Sequence, residues 1–566
     1  MPRGMLWAAW PFRRSSAQGP SSLESGLLDA DSAAQEHQRR KCQADRGWPT
    51  AFAGFLLGTC LATTVLRWPW QATPPAFRCS SSFVGASAKL VQSARDTGDR
   101  LAQLVDVPFQ VDFEFDGPTV DVDLTATDQK IVGFGGAFTE ASAVVFKKLR
   151  PELRKELLER YFGPSGIGYT TGRVPINSCD FSQSSYSFDD IDGDSELRHF
   201  DAGVKHDAET IIPLIKAAQR SLAEHGRGLR LLASPWSPPA WMKTNGQMVH
   251  SDAPGLRPEH RTTWAKYISK WISAYKAHGI PIWALTPQNE PEKSQLWESC
   301  IYSAQQGADF IGGHLGTTLS EDHPEVSIFA YDHDKQHAYV WANETFSHPA
   351  ATRYAHGLAV HWYEGDGFDI LREVHRDFPQ AVLLPTEATY ERKRWAPGGT
   401  LRAGEWRFGE GYAHDILGNL EAGAAGWTDW NLLLDERGGP NHVDNVCDAA
   451  MVASLSGEEL YVHPQYYFIG HFSKYLPPGS VRAATTVQGS VTYRGPTRPY
   501  GTCSGEDGLQ ATTFLTPDGR AATIVLNCGD SEINFRLRDR KGGRALAARI
   551  PSHAVQTYTF ERSGQS

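Results

Sequence analysis

Along most of this chain, apolar residues fall at helical spacing in one stretch and as a short unbroken run in the next. Pro151–Phe162 places Leu153, Leu157, Leu158 and Tyr161 on one face, starts with proline and is closed by Gly163, the pattern of an amphipathic helix. Glu209–His225 reads the same way, ends at Gly226 and leads into the apolar run Leu229–Ala233. Arg261–His278 repeats the pattern: Trp264, Ile268, Trp271, Ile272 and Tyr275 form a stripe, Gly279 ends it, and Ile282–Thr286 follows as a strand. Leu358–His361, Ala381–Leu384 and Gly426–Trp430 are further short strands, each after a helical stretch. A recurring helix-then-strand order predicts an α/β protein built on a parallel (β/α)8 TIM barrel.

The flanks have another texture. Val111–Phe115 and Val120–Leu124 are short alternating runs before the barrel. From about Val481 the helices stop, and runs such as Ala521–Leu526 and Val555–Phe560 stand between turn residues, as in a β-sandwich. The early strands complete that sandwich, making it discontinuous in sequence. The expected organisation is a polar basic tail (1–47), an apolar segment (48–70), a linker (71–105), first sandwich strands (106–128), the catalytic barrel (129–475) and the rest of the sandwich (476–566).

The apolar run Ala51–Leu66 is bracketed by Trp48, Trp68 and Trp70 and follows the cluster Arg39-Arg40-Lys41. It is on the short side of the roughly 20 residues that span a bilayer, which leaves two readings: a cleaved secretory signal or an uncleaved signal anchor. Positive charge ahead of it directs the downstream chain to the lumen, and the sequon Asn343-Glu344-Thr345 agrees. The expected location is the secretory-pathway lumen, as a lysosomal or acidic-vacuole protein, a membrane-anchored one or a secreted one.

A net charge of −10 argues against nucleic acid as a partner, which calls for clustered basic surface. The eight cysteines are scattered with no metal-type Cys/His spacing, so no metal site is expected. Cys503 and Cys528 both fall in the C-terminal β-region and are a candidate pair. Seventeen Trp and nineteen Tyr supply aromatic faces of the kind that grip sugar rings, although most such residues fill cores.

Reactive residues of a (β/α)8 barrel stand at the C-terminal ends of its strands, and two strand-like runs here end in glutamate. One is Trp283-Ala-Leu-Thr-Pro-Gln-Asn-Glu290-Pro291, where Glu290 is a candidate general acid and Asn289 a donor to a neighbouring hydroxyl. The other is Ala381-Val-Leu-Leu-Pro-Thr-Glu387, placed 97 residues later. Two carboxyls about 5 Å apart make Glu387 a nucleophile and retain configuration, whereas about 6.5–9.5 Å admits a water and inverts it. Arg173 is a candidate partner that keeps the nucleophile ionised, and Asp180 a candidate acceptor for sugar hydroxyls. Trp236, Trp241, Trp362, Tyr363, Trp427 and Trp430 are candidate aromatic walls.

Longer strings add a resemblance. Val132-Gly-Phe-Gly-Gly-Ala-Phe-Thr-Glu140, Ser234-Pro-Trp-Ser-Pro-Pro-Ala-Trp-Met-Lys-Thr-Asn-Gly246, Asn289-Glu-Pro, Val360-His-Trp-Tyr363, Gly426-Trp-Thr-Asp-Trp-Asn431 and Gly470-His-Phe-Ser-Lys-Tyr475 resemble the acid β-glucosidases (glucosylceramidases) of glycoside hydrolase family 30. The resemblance runs from about residue 110 to the end. It implies a two-step retaining mechanism with Glu290 as acid/base and Glu387 as nucleophile, and Arg173, Asp180, Trp236, Asn289, Tyr363, Trp430 and Asn445 around the sugar. It implies no cofactor, glucosylceramide in a membrane as substrate, anionic lipid as an aid and, as in the animal members, a saposin-like activator, whose docking surface is not carried over to this chain. The animal enzymes' cysteine-rich N-terminal segment has no counterpart here, and Thr389 stands where they have a cysteine. Related members acting on β-1,6-glucan, β-xylosides or galactolipids are the nearest alternative, and a catalytically silent, membrane-anchored glycan- or lipid-binding protein is a further one.

Overall fold

The computed structural model describes residues 83–395, 401–495 and 497–563. The basic tail and apolar segment expected over 1–70 lie outside the described residues, and with them the signal and anchor readings. Among the described residues no helix is long and apolar enough to cross a membrane.

Eight parallel strands form one sheet: β1 (Gly133–Ala137), β2 (Thr171–Ile176), β3 (Arg230–Pro235), β4 (Ile282–Leu285), β5 (Ser327–Asp334), β6 (Ala355–His361), β7 (Val382–Glu387) and β8 (Gly426–Asn431). Strands β1 to β7 pair in sequence order and β8 returns to β1, with Trp427 opposite Phe134. A parallel bridge from Leu383 to Ala424 closes the ring between β7 and the lead-in to β8. Strands buried on both faces read as apolar runs, which is why β3, β4, β6, β7 and β8 were legible without alternation. In β1, a Cβ on Gly135 would lie 1.9 Å from the Thr171 carbonyl oxygen of β2, so the close approach of these two backbones requires glycine.

The barrel interior is layered. Leu232, Ala284, Phe329, Ala359 and Leu384, one each from β3 to β7, fill part of it with hydrocarbon. Toward the C-terminal ends, Arg173, Thr286, Asp332 and Thr386 replace that hydrocarbon with hydrogen-bonded polar side chains. Buried polar groups persist only when mutually satisfied, so this layer is a rigid platform beneath the barrel mouth.

A second, ten-stranded sheet combines Thr119–Lys130 from before the barrel with strands from after it, among them Val481–Gln488, Arg520–Asn527 and Ala554–Glu561. Cys503 and Cys528 are disulfide-bonded. The two parts meet through the last barrel helix, Pro464–Ser473, where the His471 ring bonds Thr557 at 2.8 Å and Ser93 at 3.0 Å.

Two expectations need correction. Residues 71–105 are not a linker throughout, because Phe83–Ala94 is a strand paired with Ala554–Glu561 and with Val107–Val111. Its buried residues are mixed: Ala88, Leu90 and Ala94 pack in the core and Val91 is buried beside them, while Gln92 and Ser93 are satisfied by Gln556 and His471. The strand expected over Val111–Phe115 instead spans Val107–Val111.

Candidate active site

The barrel mouth holds one polar constellation assembled from seven strands, β2 to β8. β4 stops at Leu285, and Thr286-Pro-Gln-Asn-Glu290 turns over the mouth with Glu290 at φ 44°, a left-handed conformation that is costly for a non-glycine residue. β7 ends on Glu387 itself. Asp180, Trp236, Asn289, Glu290, Tyr363, Glu387, Trp430 and Asn445, eight of the nine expected site residues, line one cavity of about 320 Å³. That volume is at the lower end for small-molecule sites and suits a single ring rather than a chain of them.

The ninth, Arg173, lies beneath them, 1% exposed. Its Nη1 donates to Glu387 Oε2, its Nη2 to Asn289 Oδ1 at 2.7 Å and Asp332 Oδ2 at 2.8 Å, and its Nε to Ser234 Oγ at 3.1 Å. Trp236 and Trp430 stack with centroids 5.2 Å apart and present their faces to the guanidinium at 4.7 and 5.5 Å. On the other Glu387 oxygen, the Tyr363 hydroxyl donates at 2.8 Å. The expected Arg173–Glu387 pairing is therefore present, with a neutral donor completing the grip.

Glu290 has different company. Gln295 Nε2 donates to its Oε2 at 3.0 Å, and His361 Nδ1 lies 3.5 Å from its Oε1. Burial pushes both carboxyls up. At Glu387 that push prevails, with His361, Arg173 and Tyr363 pulling the other way and Glu290 adding to it. At Glu290 the His361 imidazole overcomes it, helped by His333 and Lys293, and the carboxyl is held below its ordinary value. His361 moves in the complementary direction. Burial opposes its charge, yet Glu387, Asp332 and Glu290 raise it to about 10. The two groups thus move in opposite directions, which favours a proton on the imidazole side of the His361–Glu290 pair. Asp180 accepts from Asn445 Nδ2 at 3.0 Å, and burial pushes its carboxyl well up.

Asp332, His333 and His361 were not singled out by sequence. Tyr331-Asp-His-Asp334 does follow an apolar strand, as the glutamate segments do, and that was the available signal. What no spacing foretells is the bulge that aims it. Tyr331 and Asp332 stand at φ 77° and 73°, and the β5–β6 register slips so that Ala359 faces Tyr331 while Val360 faces His333. A bulge of this kind re-aims side chains, and here consecutive residues both turn inward.

Three of the expected aromatic walls are packing instead. Trp241 donates to the Asp189 carbonyl, Trp362 is enclosed by Tyr390, Tyr412 and Tyr500, and Trp427 donates to Asp415. The flat faces of such residues are equally suited to cores, and only side-chain direction separates the two uses.

The model of the glycosyl hydrolase family 30 TIM-barrel domain matches residues 131–476, and that of the family 30 beta sandwich domain matches 479–558. The chain is 34% identical over 443 residues to lysosomal acid glucosylceramidase from Mus musculus, covering 77% of this chain and 82% of that one. Among solved structures it resembles SrfJ from Salmonella typhimurium, with TM-score 0.75, 31% identity, and 84% of this chain and all of that one covered. It also resembles a solved endo-β1,6-glucanase, with TM-score 0.69, 25% identity and the same coverage.

Proposed function

The chain belongs to glycosyl hydrolase family 30, and from that premise we propose that it hydrolyses the β-glucosyl bond of glucosylceramide to glucose and ceramide, through a covalent glucosyl–enzyme intermediate. The observation that carries this reading is the unequal treatment of two carboxyls in one small cavity. Glu387 receives a guanidinium on one oxygen and a phenol on the other, the environment of a carboxylate aimed at an electrophilic carbon. Glu290 is linked to a proton-bearing imidazole, the environment of a group that gives and takes a proton.

In the first step Glu387 attacks the anomeric carbon while Glu290 protonates the departing glycosidic oxygen. The proton held by His361 crosses the 3.5 Å to Glu290 as the substrate displaces water from the cavity. In the second step Glu290, now a base, removes a proton from water that hydrolyses the glucosyl ester. Asp180, oriented by Asn445, accepts from sugar hydroxyls; Trp236 and Trp430 form the wall beside it, and Asn289 stands next to the acid. No step calls on a cofactor.

Leu296, 75% exposed between the cavity-lining Gln295 and Trp297, supports a lipid aglycone, since it places an apolar contact at the rim. Anionic lipid and a saposin-like activator belong to the same reading, as does a lumenal, lysosomal place of work. The similarity to an endo-β1,6-glucanase supports a second reading, cleavage of a β-1,6-glucan by the same two carboxyls.

The test is glucose release by the full chain from glucosylceramide in anionic vesicles, beside β-1,6-glucan. Glu387→Gln is expected to abolish turnover of both natural and activated substrates. Glu290→Gln is expected to cost about 10²–10⁴-fold on poor leaving groups and far less on good ones, because a stable leaving group needs little protonation. Release from the glucan alone would replace the substrate. Equal losses on both leaving groups would overturn the roles, and an α-glucose first product, seen by NMR, would overturn retention.

A further inference from the structure

Three potential metal ligands converge where the mechanism uses one of them. The ligand atoms of Glu290, His333 and His361 all lie within 4.8 Å of one another, and all three residues are buried. His361 Nδ1 is 3.5 Å and His333 Nδ1 4.0 Å from Glu290 Oε1. Neither nitrogen makes a hydrogen bond among the described residues, although both are buried. An unsatisfied buried imidazole nitrogen such as His333 Nδ1 costs free energy, and its convergence with His361 Nδ1 on one carboxylate oxygen is more than packing demands.

The surroundings complete the picture. His361 Nε2 lies 3.1 Å from Asp332 Oδ1, and Asp332 is fixed in turn by Arg173, Thr286 and Thr386. A carboxylate behind the outer nitrogen of a histidine is what orients and strengthens that ring as a metal ligand. Four carboxylates (Glu290, Asp332, Asp334, Glu387) face two permanent cations here, Arg173 and Lys293. Two histidines and a glutamate are a ligand set suited to Zn²⁺, whose tetrahedral geometry with bonds of about 2.0–2.1 Å places ligand atoms roughly 3.4 Å apart. The two Glu290–histidine separations, 3.5 and 4.0 Å, lie within an ångström of that spacing, and the third separation is no more than 4.8 Å. The bulge at Tyr331–Asp332 brings His333 into this set.

We propose that Glu290, His333 and His361 form an inhibitory site for a divalent transition cation of the Zn²⁺ or Co²⁺ type, with its open position on the sugar cavity. Binding itself needs no assumption about substrate; the inhibition rests on Glu290 being the acid/base.

The probe is Co²⁺, titrated into the full-length protein with no substrate present and followed by the visible band of the four-coordinate ion. The band is expected to saturate, and a glucose-shaped amine that fills the cavity is expected to weaken it. Glycosidase activity should fall with the same apparent Kd. His333→Ala and Glu290→Gln should each weaken Co²⁺ at least tenfold. Circular dichroism checks that His333→Ala folds, and Glu290→Gln carries the test if it does not. No band in the wild type, or an unchanged Kd in every folded variant, overturns the site. Because the band is read without substrate, its failure leaves the proposed activity untouched, and a wrong substrate leaves the band in place.

Discussion

Replacing Tyr363 with phenylalanine removes one hydroxyl and little else. The ring packs edge-on to Tyr500 at 5.5 Å, and the backbone N–H donates to Asp334 at 2.7 Å, both independent of that hydroxyl. What is lost is the 2.8 Å bond to Glu387 Oε1. A hydrogen bond to a charged group contributes about 1.5–3 kcal/mol. One pKa unit corresponds to about 1.36 kcal/mol, so the Glu387 carboxyl should rise by about 1–2 units. Burial already pushes this carboxyl above its ordinary value, which brings the shift toward the working range. Glu387 attacks as the carboxylate, and a higher pKa therefore moves the acid limb of the kcat/KM profile to higher pH. The assay is kcat/KM against pH on an aryl β-glucoside with a good leaving group, so that protonation by Glu290 does not limit the rate. A loss of about 10–100-fold at the acid end, shrinking toward neutrality with the alkaline limb unmoved, is expected. A uniform loss at every pH with the acid limb in place would refute the argument, because Tyr363 would then act on the sugar and not through Glu387.

Arg173→Lys keeps the charge but not the fork that reaches Glu387, Asn289, Asp332 and Ser234 together. The loss of two charge-assisted bonds predicts about 3–6 kcal/mol of destabilisation in denaturant melts, and a change below about 1 kcal/mol would show that the network is dispensable. Deleting residues 1–104 removes the strand Phe83–Ala94 from between its two partners and should abolish cooperative unfolding of the sandwich, whereas deleting 1–82 keeps every described strand. Equal melting of the two truncations would contradict the role given to that strand.

Much of the fold was legible because its signals are local. Helices such as Pro151–Phe162 and Arg261–Ala277 declare themselves by an apolar stripe with a glycine or turn at the end, and the two glutamates by standing after an apolar strand. Phe83–Ala94 was missed because its two large buried residues, Leu90 and Val91, are adjacent and do not alternate, and its other buried positions are Ala, Gln and Ser. Their burial is compensated by partners hundreds of residues away, such as Gln556 and His471, and no local pattern encodes that.

The sequence by itself determined the helix–strand alternation and which carboxylates stand at strand ends, since both follow from side-chain periodicity and from where apolar runs stop. Only the tertiary structure decided which tryptophans face the cavity, that Arg173 reaches Glu387 from beneath, and that a bulge in β5 turns Asp332 and His333 inward beside Glu290. Direction and contact across a closed barrel depend on strand stagger and on backbone conformations such as φ 73° at Asp332. Those are set by the sum of packing over the whole ring, and no residue carries them alone.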